Sequence, residues 1–350
     1  MFELSVGISF AILISGVQCL IPDFLKADVF NIHRHAAVET RDLLHKPVTP
    51  ENVTYYLYTS KNPNKFIKLD PSDLEPLRNV SDKLVFLVHG WTSNRETAWY
   101  EDLKNAFLTT HPNYSIVEVD WSEPANQYYY VASINTYDVA KILVNVILDL
   151  NKNYSVSLDD VLLIGHSLGG QIIGFVGKDI IKVTGRKLPR IIALDPAGPL
   201  FDTRPEDKRL NKNDAEVVEV IHSDGGTFGF LRACGTIDFF PNGGKSQPGC
   251  KRIDLLDLRS LVDPISCDHR RAGEYFVEAI LNPDELLATR CSGWELLAKN
   301  QCDDVKVNLG DLTTNETGTF YFETNKERPF SKRKQSDGIS LSKVLSLLHH

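Results

Sequence analysis

The sequence predicts an α/β fold, with a mostly parallel central sheet and helices on both faces. Three observations predict it. Short apolar runs recur, each stopped by glycine or a polar residue, which is how strands buried on both faces read. Segments with helical apolar spacing lie between them, and strand–helix–strand alternation makes a parallel sheet. The chain has 350 residues, 42% hydrophobic and 24% charged, with 22 Gly and 17 Pro. That is ordinary globular usage, which excludes collagen-like, low-complexity and wholly disordered chains. The length holds one large α/β domain or two small ones. A net charge of −8 argues against a non-specific nucleic-acid binder.

In chain order, the first feature is the apolar stretch Val6 to Ile14, followed by Ser15-Gly16-Val17-Gln18-Cys19. It alone raises a membrane question, and it is too short to span a bilayer. A short apolar core ending in small residues reads as a secretory signal over residues 1–19, cut near Cys19. Glu3 departs from the usual basic start, and a buried N-terminal strand or helix is the alternative. Residues 20–50 read as an N-terminal arm. The alternating pattern fills residues 51–330. Leu84–Val88 ends in His89-Gly90, Ser115–Val119 in Asp120, and Val161–Ile164 in Gly165. Arg190–Leu194 ends in Asp195, and Glu216–Ile221 in His222. Val139, Ile142, Leu143, Val146, Ile147 and Leu150 form one helical stripe, with shorter helix candidates at Leu168–Lys178 and Arg271–Ile280. Residues 331–350 form a tail in which Lys332-Arg333-Lys334 precedes Leu341, Val344, Leu345 and Leu348. It reads either as a basic amphipathic contact for an anionic lipid surface or as a solvated terminus.

Export has two further supports. Asn-x-Ser/Thr sequons stand at Asn52, Asn79, Asn113, Asn153 and Asn315, and such sites are surface features of secreted chains. Cleavage after Cys19 leaves Cys234, Cys250, Cys267, Cys291 and Cys302. No paired C-x-x-C motif surrounds them, which argues against zinc, and an exported chain makes disulfides the default. Five is odd, so one thiol is free, or pairs between chains, or the cut lies elsewhere.

Chemistry enters at Gly165-His166-Ser167-Leu168-Gly169, a G-x-S-x-G motif with a strand before it and a helix after it. That setting lifts a serine hydroxyl above a sheet on a tight turn; a glycine-rich turn with a capping serine is the bland alternative. A serine is a weak nucleophile until a base takes its proton, and a carboxylate must hold that base. Asp195 follows a strand and is the carboxylate candidate, although Asp-Pro is also a frequent turn. His222 also follows a strand, and His269 lies beside Cys267 before a helix, so spacing leaves both as candidate bases. His166 is expected to point away from the nucleophile. An oxyanion needs backbone donors: the N–H of Leu168, next after the serine, and that of Trp91 after the Leu84–Val88 strand. His89-Gly90 is otherwise a plain strand-end turn.

At this point the chain resembles the animal pancreatic lipase family over roughly residues 50–330. The resemblance is carried, in order, by Leu87-Val88-His89-Gly90-Trp91, Val119-Asp120-Trp121 and Ile164-Gly165-His166-Ser167-Leu168-Gly169-Gly170. Leu194-Asp195-Pro196-Ala197-Gly198-Pro199 and Asp238-Phe239-Phe240-Pro241-Asn242-Gly243-Gly244 follow. Gln247-Pro248-Gly249-Cys250 and Cys267-Asp268-His269-Arg270-Arg271-Ala272 complete it. It implies an α/β-hydrolase fold with Ser167, Asp195 and His269 as triad, preferring His269 to His222, and Trp91 and Leu168 at the oxyanion hole. It also implies a Cys250–Cys267 bridge closing a lid loop and a Cys291–Cys302 bridge, with Cys234 left over. The sixteen residues between the lid cysteines include Ile253, Leu255, Leu256, Leu258, Leu261 and Val262; an apolar lid suits action at a lipid interface.

In this family a long lid and a long neighbouring loop accompany triacylglycerol lipases, and both are short in phospholipases A1. Here the loop Ser223–Ile237 is short and the lid intermediate. The resemblance therefore implies a secreted lipid carboxylester hydrolase of the phospholipase A1 branch, with triacylglycerol hydrolysis or lipid binding without catalysis as alternatives. Residues Gly318–Asn325 resemble the last strand of the family's catalytic domain, so neither a C-terminal β-sandwich domain nor colipase is expected. The partner expected is a lipid interface, with no nucleic acid and no required cofactor. The family's structural calcium site falls on Glu206, Arg209, Asn211 and Asp214. Asn211 stands where the family usually has Asp, and a lost carboxylate weakens a hard-cation site.

Overall fold

A computed structural model describes residues 47–78, 83–250 and 267–332 of the chain. The signal segment, residues 20–46 of the arm, Asn79, the 251–266 lid stretch and the tail from 333 lie outside the described residues. The chain enters the sheet through β1 (Thr54–Thr59), β2 (Asn62–Leu69), β3 (Lys83–Val88) and β4 (Tyr114–Asp120). It continues through β5 (Val161–His166), β6 (Arg190–Leu194), β7 (Val217–Ile221) and β8 (Ile237–Pro241). Short strands β9 (Leu287–Arg290), β10 (Lys306–Asn308) and β11 (Gly318–Phe322) complete it. The helices are α1 (Ala98–Thr110), α2 (Ser122–Ala125), α3 (Tyr129–Asn153), α4 (Leu168–Thr184), α5 (Cys267–Leu281) and α6 (Trp294–Ala298).

The strand order is β10-β9-β11-β8-β7-β6-β5-β3-β4-β1-β2. Pairing is parallel from β11 through β8, β7, β6, β5 and β3 to β4. Antiparallel β1–β2 and β9–β10 flank this parallel centre. The central runs read as unbroken apolar sequence because both faces are covered. Phe86 and Val88 of β3 join residues of α3 and α4 in one core cluster. Val85 and Leu87, one step along the pleat, join residues of α1 and α5 in the other. The edge strands escaped the pattern for a physical reason: β2 is exposed along most of its length and has no buried face to write into sequence.

The helical stripe at 139–150 lies within α3, whose 25 residues are long and apolar enough to cross a membrane. The N-terminal segment is thus not alone in raising that question. Within the fold, 67% of the helix's most apolar window is buried, with Val139, Leu143 and Ile147 in the core beside α4.

A buried carboxyl group interrupts this apolar packing. Glu118 of β4 is fully buried, and neither carboxylate oxygen has a hydrogen-bond partner among the described residues. Burial pushes its pKa up to about 8, although the Lys104 ammonium pulls the other way. The folded chain therefore holds this proton more tightly than the unfolded chain does. Its contribution to stability is complete below about pH 4.5 and disappears as pH rises to about 8. Glu118→Gln, which cannot ionise, should flatten the decline in melting temperature across that window. An unchanged pH profile in the variant would show that another group sets it.

Candidate active site

The carboxyl ends of β5 and β6 place two acidic or nucleophilic side chains side by side. At the end of β5 the chain turns through Ser167, with φ 56° and ψ −121°, directly into α4. A positive φ on a residue with a Cβ is strained, and the neighbouring glycines make the turn possible. A Cβ on Gly165 would lie 2.3 Å from the Gly169 carbonyl oxygen. One on Gly169 would lie 2.2 Å from that of Val88. The Ser167 N–H donates to Leu194 (3.1 Å), and its carbonyl accepts from Ala197 (3.0 Å), strapping the turn to the end of β6.

Asp195 follows β6 with φ 43° and is wholly buried. Its Oδ1 accepts the N–H groups of Ser223 (2.8 Å) and Asp224 (3.1 Å), which follow β7. Its Oδ2 lies 2.6 Å from Nδ1 of His269, in the first turn of α5. With Nδ1–H committed to the carboxylate, Nε2 carries the lone pair of the neutral imidazole. The His269 ring sits 4.5 Å from that of His166 and 5.7 Å from that of Phe228. His166, next to the serine, donates from Nε2 to the His269 carbonyl at 3.0 Å. Burial drives its pKa well down, so it stays neutral. The Ser167 hydroxyl itself has no hydrogen-bond partner among the described residues, and contacts of this kind often tighten only with substrate bound.

The loop after β3 lies against the serine: a Cβ on Gly90 would fall 2.7 Å from the Ser167 Cβ. Leu168 opens α4, so its N–H is among those a helix start leaves unpaired within the helix. Trp91 packs edge-on against Tyr129 at 5.2 Å, and its indole N–H donates to the Gln127 carbonyl at 2.8 Å. A clamp that motif spacing does not reveal holds this loop. His89 is fully buried and stacks on Trp121 at 5.6 Å. The Trp121 backbone N–H donates to His89 Nε2 at 3.1 Å, and its indole N–H to the His89 carbonyl at 2.8 Å. The signal available in sequence was Val119-Asp120-Trp121.

His222 is engaged elsewhere. Its Nδ1 meets the Phe230 carbonyl at 2.9 Å, its Nε2 meets Asp238 Oδ1 at 2.8 Å, and its ring stacks on Phe240. Burial opposes its charge, but Asp238 and the Phe230 carbonyl outweigh that and raise its pKa. Cys234 comes within reach of this pair, yet Asp238 already accepts the Cys234 and Gly235 N–H groups.

Cys250–Cys267 and Cys291–Cys302 are disulfides, with Cα–Cα distances of 5.5 and 4.7 Å, and Cys234 is a free thiol. The first bridge ties down the start of α5, two residues before His269. Gln247, visible in sequence only as part of a motif, completes that anchor. It donates to the Ser223 and Pro241 carbonyls, accepts from Tyr275, and its N–H reaches Asp268. Among the described sequons, Asn113, Asn153 and Asn315 are exposed and Asn52 is half-buried.

Of the residues expected to hold calcium, Asn211 and Asp214 have their side-chain oxygens already engaged. Asp214 Oδ1 pairs with the Lys178 ammonium and Oδ2 accepts the Asn211 N–H. The Asn211 amide donates to the Glu206 carbonyl, and the Arg209 guanidinium turns back onto the Arg204 and Leu210 carbonyls. An amide N–H and an ammonium facing the same carbonyl and carboxylate do not fit a divalent cation.

A family model described as Lipase matches residues 25–330. Inactive pancreatic lipase-related protein 1 of Canis lupus familiaris is 33% identical over 338 residues, covering 88% of this chain and 71% of that protein. Pancreatic lipase-related protein 2 of Rattus norvegicus is 33% identical over 276 residues, covering 73% and 58%. Lipase member H-A of Xenopus laevis is 34% identical over 258 residues, covering 73% and 54%. The chain thus spans from about half to seven tenths of the length of these relatives.

Gly229 offers a geometric test of the carboxylate site. A Cβ there would lie 2.4 Å from Asp195 Oδ1 and 2.5 Å from Oδ2, so Gly229→Ala should displace the carboxylate from His269. Proton NMR should then lose the low-field imidazole N–H signal of that contact while core methyl dispersion persists. A retained signal would contradict the placement.

Proposed function

The chain belongs to the lipase family, and on that premise we propose that it is a secreted lipid carboxylester hydrolase acting through an acyl-enzyme on Ser167. The observation that carries the proposal is the 2.6 Å contact between a wholly buried Asp195 and His269, set beside the strained turn of Ser167. In the proposed reaction His269 Nε2 takes the Ser167 proton as the hydroxyl oxygen attacks the acyl carbonyl. Asp195 stabilises the imidazolium that forms. The Leu168 and Trp91 N–H groups receive the developing oxyanion, each worth about 3 kcal/mol in the transition state. His269 then returns the proton to the departing alcohol, and water attacks the acyl-serine by the same route.

Within this class we propose cleavage of the sn-1 acyl ester of phospholipids ahead of neutral acylglycerols. Support comes from the short connection between β7 and β8, which packs Phe228 against His269 and leaves Leu231 exposed. Export is supported by the exposed sequons at Asn113, Asn153 and Asn315 and by two disulfides, which persist in oxidising compartments. A second reading is a lipid-binding protein without turnover; the relative named as inactive favours it.

Doubly labelled phosphatidylcholine and a triolein emulsion separate these readings. The sn-1 fatty acid should be released faster than oleate from triolein. Ser167→Ala should lower the rate by about 10⁴-fold or more. Faster triolein cleavage would move the protein to the triacylglycerol lipases, and lipid binding without release from either substrate would favour the second reading. An undiminished rate in Ser167→Ala would remove the serine from the chemistry.

A further inference from the structure

Residues 205–214 run beneath α4 and back toward β7. A Cβ on Gly177 of that helix would lie 2.2 Å from the Asp214 carbonyl oxygen, and one on Gly174 2.9 Å from the Leu210 Cα. Gln171 links this segment to the turn after Asp195: its Oε1 accepts the Leu210 N–H at 2.8 Å and its Nε2 donates to the Ala197 carbonyl at 2.8 Å. The family resemblance places a structural calcium here, and the side chains present conflict with it.

Asn211 and Asp214 are both buried. Asn211 Oδ1 accepts the Asn213 N–H at 2.8 Å and Nδ2 donates to the Glu206 carbonyl at 2.8 Å. A donor on one side and an acceptor on the other fix which end of the amide is oxygen. An aspartate at this position would turn only acceptors toward the Glu206 carbonyl, and such oxygens need a cation between them. The asparagine N–H supplies the bridge itself. On the other side, the Lys178 ammonium from α4 meets Asp214 Oδ1 and leaves the buried carboxylate charge-compensated. An entering dication would meet the like charge of that ammonium and would have to reverse the Asn211 amide, breaking both of its hydrogen bonds.

We infer that this chain closes the loop with its own side chains, Asn211 bridging to Glu206 and Lys178 neutralising Asp214, in place of a bound calcium. The loop that supports the Asp195 turn is therefore independent of calcium. Thermal melting of the full chain in EGTA and in millimolar calcium tests this without reference to ester hydrolysis. The wild type should melt within about 1 °C in the two buffers. Asn211→Ala and Lys178→Met should each melt about 3–6 °C lower, equally in both. A wild-type rise of about 5 °C or more in calcium, or rescue of either variant by calcium, would overturn the inference. Should neither variant fold, the wild-type pair of melts still decides, and equilibrium dialysis against radiolabelled calcium answers the same question directly.

Discussion

Asp195 is wholly buried, and a carboxylate removed from water must find donors or surrender its charge. It finds three, and they come from different parts of the chain: the Ser223 and Asp224 N–H groups after β7, and the His269 ring on α5. Those donors dictate how the carboxyl ends of β6 and β7 and the first turn of α5 must meet. Gly229 is held bare of a Cβ by the same carboxylate. Gln247 ties the carbonyl of Ser223 to the loop before the Cys250–Cys267 bridge, so that one buried side chain connects the carboxylate's donors to the helix bearing the imidazole.

Two residues with positive φ, Ser167 and Asp195, sit at the ends of adjacent strands. Each strained residue costs about 1–3 kcal/mol and persists only where its surroundings over-determine it. Here backbone hydrogen bonds do so: Ser167 to Leu194, Ala197 to Ser167, and Asp195 to Ile221. The parallel register of β5, β6 and β7 delivers these partners, which is why chemistry gathers at the carboxyl end of such a sheet. The apolar layers on both faces supply the rigidity that keeps the strain from relaxing.

The parallel centre of the fold was legible because its strands are buried on both faces and write continuous apolar runs. Edge strands β2 and β10 were not, because short or exposed strands leave no periodic mark. At the site, Ser167 was legible from the glycines its turn requires. Spacing could not choose between His222 and His269, since each follows a structured element beside a loop. Their separation is a matter of partners far along the chain: Asp238 on β8 for His222, Asp195 for His269. The family resemblance also marked Asn211 as standing where an aspartate is usual. The Lys178 ammonium that completes the loop's closure lies thirty-odd residues before Asp214, on α4, and only packing brings the two together. The His89–Trp121 clamp was hidden for the same reason.

The central claim is that an aspartate-held imidazole activates Ser167 toward acyl transfer. Rapid mixing with a p-nitrophenyl ester, followed by acid quench and peptide mass spectrometry, tests it most directly. An activated Ser167 should give a burst of nitrophenolate stoichiometric with protein and an acyl group on the peptide containing that serine. Absence of a burst together with no acyl adduct, or an adduct on a different residue, would contradict it.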